Sequence, residues 1–318
     1  MDVSVIVPTH NRTDMLLQAV ESVCRQTVKP LEIIVVDDAS ERPPEQALQP
    51  LKRYGAVIRC IRFDSPRGAC AARNEGAEQA KGGILMFLDD DDTWEPEKIE
   101  RQLAVFRAKP EVGLVYGGRL VVGDADRDRV IGRIMPKARG RLFPAILYEN
   151  HIGMTSSVAL KRELFIEAGG FDLRFPALQD YDLWIRCARL TVVDYDGRCN
   201  VRYTVASDPD RQISGRKDLH AGAVALLQDK YRREIEAQGA LGKRKIYAGN
   251  YFYVAKAKRR HGLLAALPWC VRSVASYPSL KALLLLSPPG FVRWMKSLPF
   301  RFKRTPAPAL GTRKEGNA

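Results

Sequence analysis

The sequence is short of the residues that build common redox, zinc and nucleotide-loop sites. Its 318 residues include only four histidines and six cysteines. The cysteines (Cys24, Cys60, Cys70, Cys187, Cys199, Cys270) form no C-x-x-C pair and no Cys/His zinc spacing. That pattern argues against zinc modules and dithiol chemistry, and buried free thiols in a reducing compartment are expected. No G-x-G-x-x-G turn is present, which argues against a dinucleotide fold. No Gly-x-x-x-x-Gly-Lys is present either, which argues against a nucleoside-triphosphatase loop. Long apolar runs are missing. In the last third the longest uncharged stretches are Gly262 to Val271 and Ala282 to Val292. Both are too short to span a bilayer, and the second contains Pro288-Pro289. The chain opens directly on a predicted strand with no charged-then-apolar leader, so the cytoplasm, at a membrane face, is the expected location.

Acidic residues are scarce at one end. The net charge is +14, but from Arg216 onward 21 Lys+Arg face 5 Asp+Glu, while the remainder has 30 against 32. A nearly neutral body therefore carries a strongly basic extension. Such a field suits an anionic partner, whether phospholipid, polyanionic glycan or nucleic acid. The apolar fraction and length are those of a globular protein with a sizeable core. No repeats or low-complexity tracts appear before the Pro-rich last fifteen residues, which are expected to be disordered.

What is present is organised around Leu85-Met86-Phe87-Leu88-Asp89-Asp90-Asp91-Asp92. Four apolar residues run into four carboxylates. The apolar half reads as a strand buried on both faces, and the acids sit where it leaves the sheet. Ligands of open α/β sheets bind at that edge. Adjacent carboxylates repel unless a cation lies among them, and a hard divalent ion takes oxygen ligands. Val3 to Val7, stopped by Pro8, reads as a first strand, followed by a helix capped by Thr13 or Asp14 with Leu16, Leu17, Val20 and Val23 on one side. Leu31 to Val36 and Val57 to Phe63 read as strands two and three. Gly68 to Ala77 reads as a loop entering a helix of small residues. This rhythm predicts a mostly parallel sheet with helices on both faces. Thr93 or Glu95 precedes Pro96 in the first turn of a helix carrying Ile99, Leu103 and Phe106. Val112 to Val122 is a long strand. Asp124 to Asp128 resembles the start of a calcium loop but has Arg129 and Met135 where Gly and Glu are required, so it reads as a plain turn. Ser156 to Leu160 is a strand, and Lys161 to Ala168 and Asp180 to Leu190 are helices. Val192 to Tyr195 and Val201 to Val205 read as short strands, and Ser207 to Gly215 as a polar loop.

Strands one, two and four deliver Thr9, Asp37-Asp38 and Asp89 to Asp92 to one edge. Here the sequence resembles the inverting family-2 glycosyltransferases of the GT-A fold. The matching segments are Val5-Ile6-Val7-Pro8-Thr9-His10-Asn11-Arg12, Ile34-Val35-Val36-Asp37-Asp38-Ala39-Ser40, Gly68-x-x-x-Ala72-Arg73-Asn74-x-Gly76 and Phe87-Leu88-Asp89-Asp90-Asp91-Asp92. Gly169-Gly170-Phe171-Asp172 follows, then Gln179-Asp180-Tyr181-Asp182-Leu183-Trp184-Ile185-Arg186. The resemblance covers residues 1–215. It implies a GT-A α/β domain there; outside it, the charge pattern reads as a basic helical extension over 216–303 and a disordered tail over 304–318.

The resemblance also implies roles. Asp38 accepts the N3–H of uracil or thymine, favouring UDP- or dTDP-sugar donors. Pro8 and Thr9 line the nucleoside, with Asn11 and Arg12 in the same loop. Arg73 faces the base or diphosphate. Asp91 is the direct ligand of a Mg²⁺ or Mn²⁺ ion on the diphosphate, Asp89 lies towards the ribose or a metal-bound water, and Asp90 completes the donor-binding acids. Asp180 is the base for the acceptor hydroxyl. The pattern departs in two places. Gln179 stands for the Glu of the family's Glu-Asp pair. Ala206 follows Tyr203-Thr204-Val205 where the closing loop often has a His, so either the site lacks that ligand or another loop residue such as Arg211 meets the diphosphate. His10 and His151 read as structural.

The expected activity is transfer of a sugar from a nucleotide diphosphate to a hydroxyl of a glycan or lipid-linked acceptor, in cell-surface polysaccharide synthesis. The rivals are a sugar-nucleotide nucleotidyltransferase, and a non-catalytic sugar-nucleotide or nucleic-acid binding module. Retained Asp91 and Asp180 would have no task in the latter, which places nucleic acid last among the partners. In the extension, Leu219, Ala223, Leu226, Leu227 and Ile235 suggest a helix docked on the body. Lys256 to Arg260 beside Leu263, Leu264, Leu267 and Trp269, and Arg293 to Lys296 beside Trp294 and Phe300, suggest an interfacial surface or a basic solvent face.

Overall fold

The computed structural model describes residues 1–206 and 219–287. The chain runs β1 (Val3–Thr9), α1 (Thr13–Cys24), β2 (Glu32–Asp37), α2 (Glu45–Leu48), β3 (Ile58–Arg62), α3 (Ala69–Glu78) and β4 (Ile84–Phe87). It continues β5 (Thr93–Trp94), α4 (Lys98–Ala108), β6 (Val112–Gly123), β7 (Val130–Ile134), β8 (Val158–Lys161), α5 (Arg162–Glu167), α6 (Gln179–Leu190) and β9 (Val192–Val205). The helices α7 (Leu219–Lys230), α8 (Arg232–Glu236), α9 (Gly239–Lys258), α10 (Leu263–Ser276) and α11 (Leu280–Leu285) follow.

The nine strands of the described residues join one sheet in the order β3-β2-β1-β4-β8-β6-β9-β5, with β7 on β6. The first four pair in parallel, as the strand–helix rhythm predicts. Beyond them the sheet is mixed, because β8 inserts antiparallel between β4 and β6. The mostly parallel expectation therefore holds for the first half only. The two short strands expected after α6 form the single strand β9, whose register against β6 shifts three times.

Side chains of the central strands alternate between two cores, as the two-residue period of a strand requires. Val5, Val7, Ile33, Val35 and Met86 pack with α1 and α4 residues such as Val20, Ile99 and Phe106. Ile6, Ile34, Val36, Leu85 and Phe87 pack on the other face with Ala72, Phe171 and Trp184. Each of these ten strand residues is fully buried, and full burial of such a side chain contributes about 1.5–3 kcal/mol. Ala223, Leu227 and Ile235 join the second core, so α7 and α8 dock on the body.

Several local expectations are corrected. β1 continues through Pro8 and Thr9, which align with Val36 and Asp37, rather than stopping at Pro8. The pairing with β4 ends at Ile6, so no β4 residue faces the missing N–H of Pro8. Helix α1 is preceded by Arg12 and receives no side-chain cap, so Thr13 and Asp14 lie in its first turn. Pro96 lies before α4, which starts at Lys98. Asp124 to Asp128 does form a turn, joining β6 to β7, in which Asp126 accepts backbone N–H bonds from Asp128 and Arg129 at 3.1 and 3.2 Å. The Ser207 to Gly215 loop with Arg211, the 215/216 boundary, Trp294, Phe300 and the 304–318 tail lie outside the described residues.

Candidate active site

The C-terminal ends of β1, β2 and β4 meet, and their polar residues sort by depth. Asp37 is buried, accepting from Ser40 N–H at 3.0 Å and from Arg62 at 2.7 Å. It fixes the turn that presents Asp38. The carboxylate oxygens of Asp38 accept the N–H groups of Arg67 and Gly68 at 2.6 and 2.9 Å. A carboxylate has about four acceptor positions, so each oxygen keeps capacity for a ligand donor. Asn11 ties the first two loops, donating its N–H to Ser40 Oγ and accepting from Glu41 N–H, both at 2.8 Å. His10 meets the Asp38 carbonyl at 2.6 Å.

The four consecutive acids alternate. Asp92 is buried, accepting Ser156 Oγ–H at 2.7 Å and Thr204 N–H at 3.1 Å. It thus fastens the β4 loop to β9. Asp90 is buried too, accepting from Thr9 Oγ1 at 2.8 Å and Arg12 at 3.1 Å. Burial pushes its carboxyl up to about 6, against the pull of Arg12. Asp89 and Asp91 are partly exposed, with side chains 29% and 15% accessible. Asp91 pairs with Arg12 at 3.4 Å and Asp89 with Arg73 at 2.5 Å. The buried pair is held by hydrogen bonds from neighbouring segments, and the outer pair is partly exposed.

Arg73 is buried with its guanidinium over the Phe171 ring at 5.3 Å, and its Nε has no hydrogen-bond partner. Its charge also acts on Asp180. The rest of its motif is structural. Asn74 accepts from Phe171 N–H and donates to the Phe171 carbonyl, both at 2.8 Å. Gly76 lies so close to β1 that a Cβ there would meet Ile6 at 2.5 Å.

Asp180 stands in the first turn of α6, where the helix dipole favours an anion. It accepts Tyr181 N–H at 2.7 Å. Burial nevertheless pushes its carboxyl up to about 6, opposed by that bond and by Arg73. Leu178, just before the helix, has φ +61°. The other non-glycine residues with positive φ are Asn11 at +54° and Ala39 at +58° among the described residues, both in the loops beside the acids. Left-handed backbone at non-glycine positions costs of order 1–3 kcal/mol and clusters at functional sites. Asp182, two residues on, is buried and holds Lys230 at 2.7 Å and Tyr231 Oη–H at 2.8 Å. It anchors the helical extension to the site.

Sequence reasoning missed Asp92 as a structural acid, the Asn74 clamp, Leu178 and Arg119. Asn74 and Asp92 carried a signal, their places inside the Gly68–Gly76 and Phe87–Asp92 segments. Gln179 is half-buried at the start of α6. His151 lines a small cavity with Asn150 and Gly153.

Among the described residues no group of three or more His, Cys, Asp and Glu surrounds a common point. Magnesium sites on diphosphates commonly use one or two protein carboxylates and complete their shell with phosphate and water. The presented oxygens of Asp91 and Asp89 fit that donor set.

The topology, with acids at the end of β4 and a carboxylate opening α6, defines a GT-A type α/β fold. It is similar to the Staphylococcus aureus TarS 1-349 structure in complex with UDP-GlcNAc, at TM-score 0.57 and 15% identity over 87% of this chain and 90% of that one. It is also similar to the Pyrobaculum calidifontis mannosyltransferase PcManGT in complex with GDP-Man and Mn²⁺, at TM-score 0.52 and 18% identity, covering 92% and 83%. The chain belongs to glycosyl transferase family 2, whose model matches residues 4–169. A Haemophilus influenzae uncharacterized glycosyltransferase is 33% identical over 184 residues, 58% of this chain and 60% of that protein. The amylovoran biosynthesis glycosyltransferase AmsB of Erwinia amylovora is 28% identical over 194 residues, 59% and 64% of the two chains. The match thus spans less than two thirds of either relative.

Proposed function

We propose that this protein is a metal-dependent inverting glycosyltransferase. It takes a sugar from a nucleoside diphosphate, UDP or dTDP favoured, to a hydroxyl of a glycan or lipid-linked acceptor. The observation that carries this reading is the convergence of outward-facing Asp89 and Asp91 with Asp180, Arg73 acting on both Asp89 and Asp180. The names of the AmsB relative and of the two solved structures support the class.

In this reading Asp91, with Asp89, holds Mg²⁺ or Mn²⁺, which when bound neutralises charge on the departing diphosphate. Pro8 and Thr9 line the nucleoside and Asn11 shapes the loop. Arg12 orients Asp91, Asp90 fixes Arg12 and Thr9, and Arg73 sets the orientation of Asp89. Asp180 accepts the proton of the acceptor hydroxyl. The hydroxyl oxygen bonds to the anomeric carbon on the face opposite the diphosphate. The carbon–oxygen bond to the diphosphate breaks, and its electron pair leaves with the phosphate.

Donor choice gives the first test. Asp38→Ala is expected to weaken UDP and dTDP binding by about 1.5–3 kcal/mol, the worth of a bond to a charged group, and CDP binding much less. Melting shifts with Mn²⁺ across UDP, dTDP, CDP and GDP check this, because ligand binding raises the melting point. An unchanged ranking moves base selection to other residues.

We further propose a GT-A body over 1–215 and a basic extension over 216–303 that meets a membrane surface, with the polysaccharide acceptor on the cytoplasmic face. Among the described residues no helix is long and apolar enough to cross a membrane. Helix α10 exposes Leu263, Leu264, Leu267 and Val271, and α11 exposes Leu280 and Leu283. Arg259, Arg260, Arg272 and Lys281 lie in the same segment. Trp269 packs against Tyr251, ring centres 6.1 Å apart, so the leucines are the outward apolar groups. Each basic residue near an anionic surface contributes about 1 kcal/mol, falling off within a Debye length of about 8 Å. The full chain is expected to sediment with anionic vesicles at low salt, and Leu264→Glu/Leu267→Glu to sediment less. Equal sedimentation with neutral vesicles would make this face a solvated one.

A further inference from the structure

The donor acids pair with Arg12 and Arg73, but a second set of cations near Asp180 makes no ion pair among the described residues. Arg119 lies on β6, Lys256 on α9 and Arg260 just beyond it. The charge of Arg119 acts on Asp180, on Tyr253 and on Lys256, and that of Arg260 acts on Tyr253 and Lys256. The three cations therefore gather around Tyr253, beside the proposed base. None of the three makes an ion pair with a carboxylate among the described residues, whereas Arg12, Arg62, Arg73 and Arg186 all do. Glu149 acts on Lys256 too, but its nearest cation is Lys281 at 3.9 Å. The Nε of Arg119 is buried without a hydrogen-bond partner. Its guanidinium lies over the Tyr203 ring at 5.6 Å, which fixes its plane. Three like charges without an ion-paired carboxylate among the described residues repel one another, and an arriving anion relieves that repulsion.

We propose that Arg119, Lys256 and Arg260 form an anion subsite beside Asp180 that selects an acceptor carrying a phosphate or carboxylate near its reacting hydroxyl. The guanidinium fork suits either group through paired charge-assisted bonds. Tyr253, 40% exposed, offers an aromatic wall to the same ligand. Arg260 is three residues from Leu263, so the subsite borders the exposed apolar face of α10. This inference rests on the glycosyltransferase reading, because it makes the ligand an acceptor.

The test uses the full chain with its donor site filled by the nucleoside diphosphate that gives the largest melting shift. Glucose 1-phosphate, glucuronic acid and methyl glucoside are titrated in a calorimeter. The wild type is expected to bind at least one anionic sugar about tenfold or more tightly than methyl glucoside, the scale of a charge-assisted bond. The two anionic sugars separate phosphate from carboxylate. Arg119→Ala, and independently the surface variant Lys256→Ala/Arg260→Ala, lose that preference while binding the nucleoside diphosphate within about twofold of wild type. Equal wild-type binding of neutral and anionic sugars overturns the proposal. So does a parallel loss of nucleoside diphosphate affinity, which assigns the cations to the donor. If donor turnover is absent while the anion preference and its loss in the variants persist, the glycosyltransferase reading fails and the anion site stands.

Discussion

Asp91→Ala loses turnover of the nucleotide sugar by at least about 10³-fold and keeps its melting temperature. Losing the cation's charge stabilisation on the departing diphosphate removes several kcal/mol from the transition state. The fold is expected to be spared because the Asp91 carboxylate is partly exposed, and Arg12 retains its bond to Asp90 at 3.1 Å when Asp91 is removed. Asp92→Ala gives the contrast. It leaves the buried Ser156 hydroxyl and Thr204 N–H without their acceptor, at about 1–3 kcal/mol for each unsatisfied group. That variant melts at a lower temperature. Turnover and thermal melts on both variants separate the two kinds of acid. An active Asp91→Ala removes the metal from the account.

Asp180→Asn binds donor as the wild type does but loses about 10²-fold or more in transfer to the acceptor, the scale of a positioned base. The asparagine keeps the shape and its carbonyl still accepts Tyr181 N–H, so the variant isolates the proton-accepting step. A base must be ionised, and burial holds this carboxyl at about 6. Wild-type kcat/KM therefore climbs about tenfold per pH unit below that value and levels off above it. The stability sign runs opposite to that of an ordinary paired carboxylate. The folded value lies above the unfolded one, so the penalty is absent in acid and appears as pH rises through about 6. At neutral pH the Asn variant is expected to melt no lower than the wild type. Transfer near wild-type rate with collapsed donor affinity would make Asp180 a binding residue.

The parallel half of the fold was legible because its strands are buried on both faces and end in polar residues. Continuous runs such as Ile33 to Val36 and Leu85 to Leu88 have one physical explanation. The order β4-β8-β6 was not legible, since strand pairing is decided by contacts between residues about seventy positions apart, such as Met86 with Ala159. β7 was missed because its residues are half-buried or exposed and lack strict alternation. The places of Asp38, Asp91 and Asp180 were readable because a strand or helix end delivers them. Which acids of the run turn inward was not. That depends on Thr9, Ser156 and Thr204, which come from three other segments. Arg119 was invisible for a related reason, because a charged residue within a strand signals nothing until α9 brings Lys256 and Tyr253 beside it.

The most direct measurement is release of nucleoside diphosphate from a panel of nucleotide sugars by the full chain, with Mn²⁺ and then with excess EDTA. The account predicts turnover of a UDP- or dTDP-sugar with Mn²⁺, its loss with EDTA, and its recovery when Mn²⁺ is restored. Turnover indifferent to EDTA, or no turnover of any nucleotide sugar by a folded protein, would contradict it.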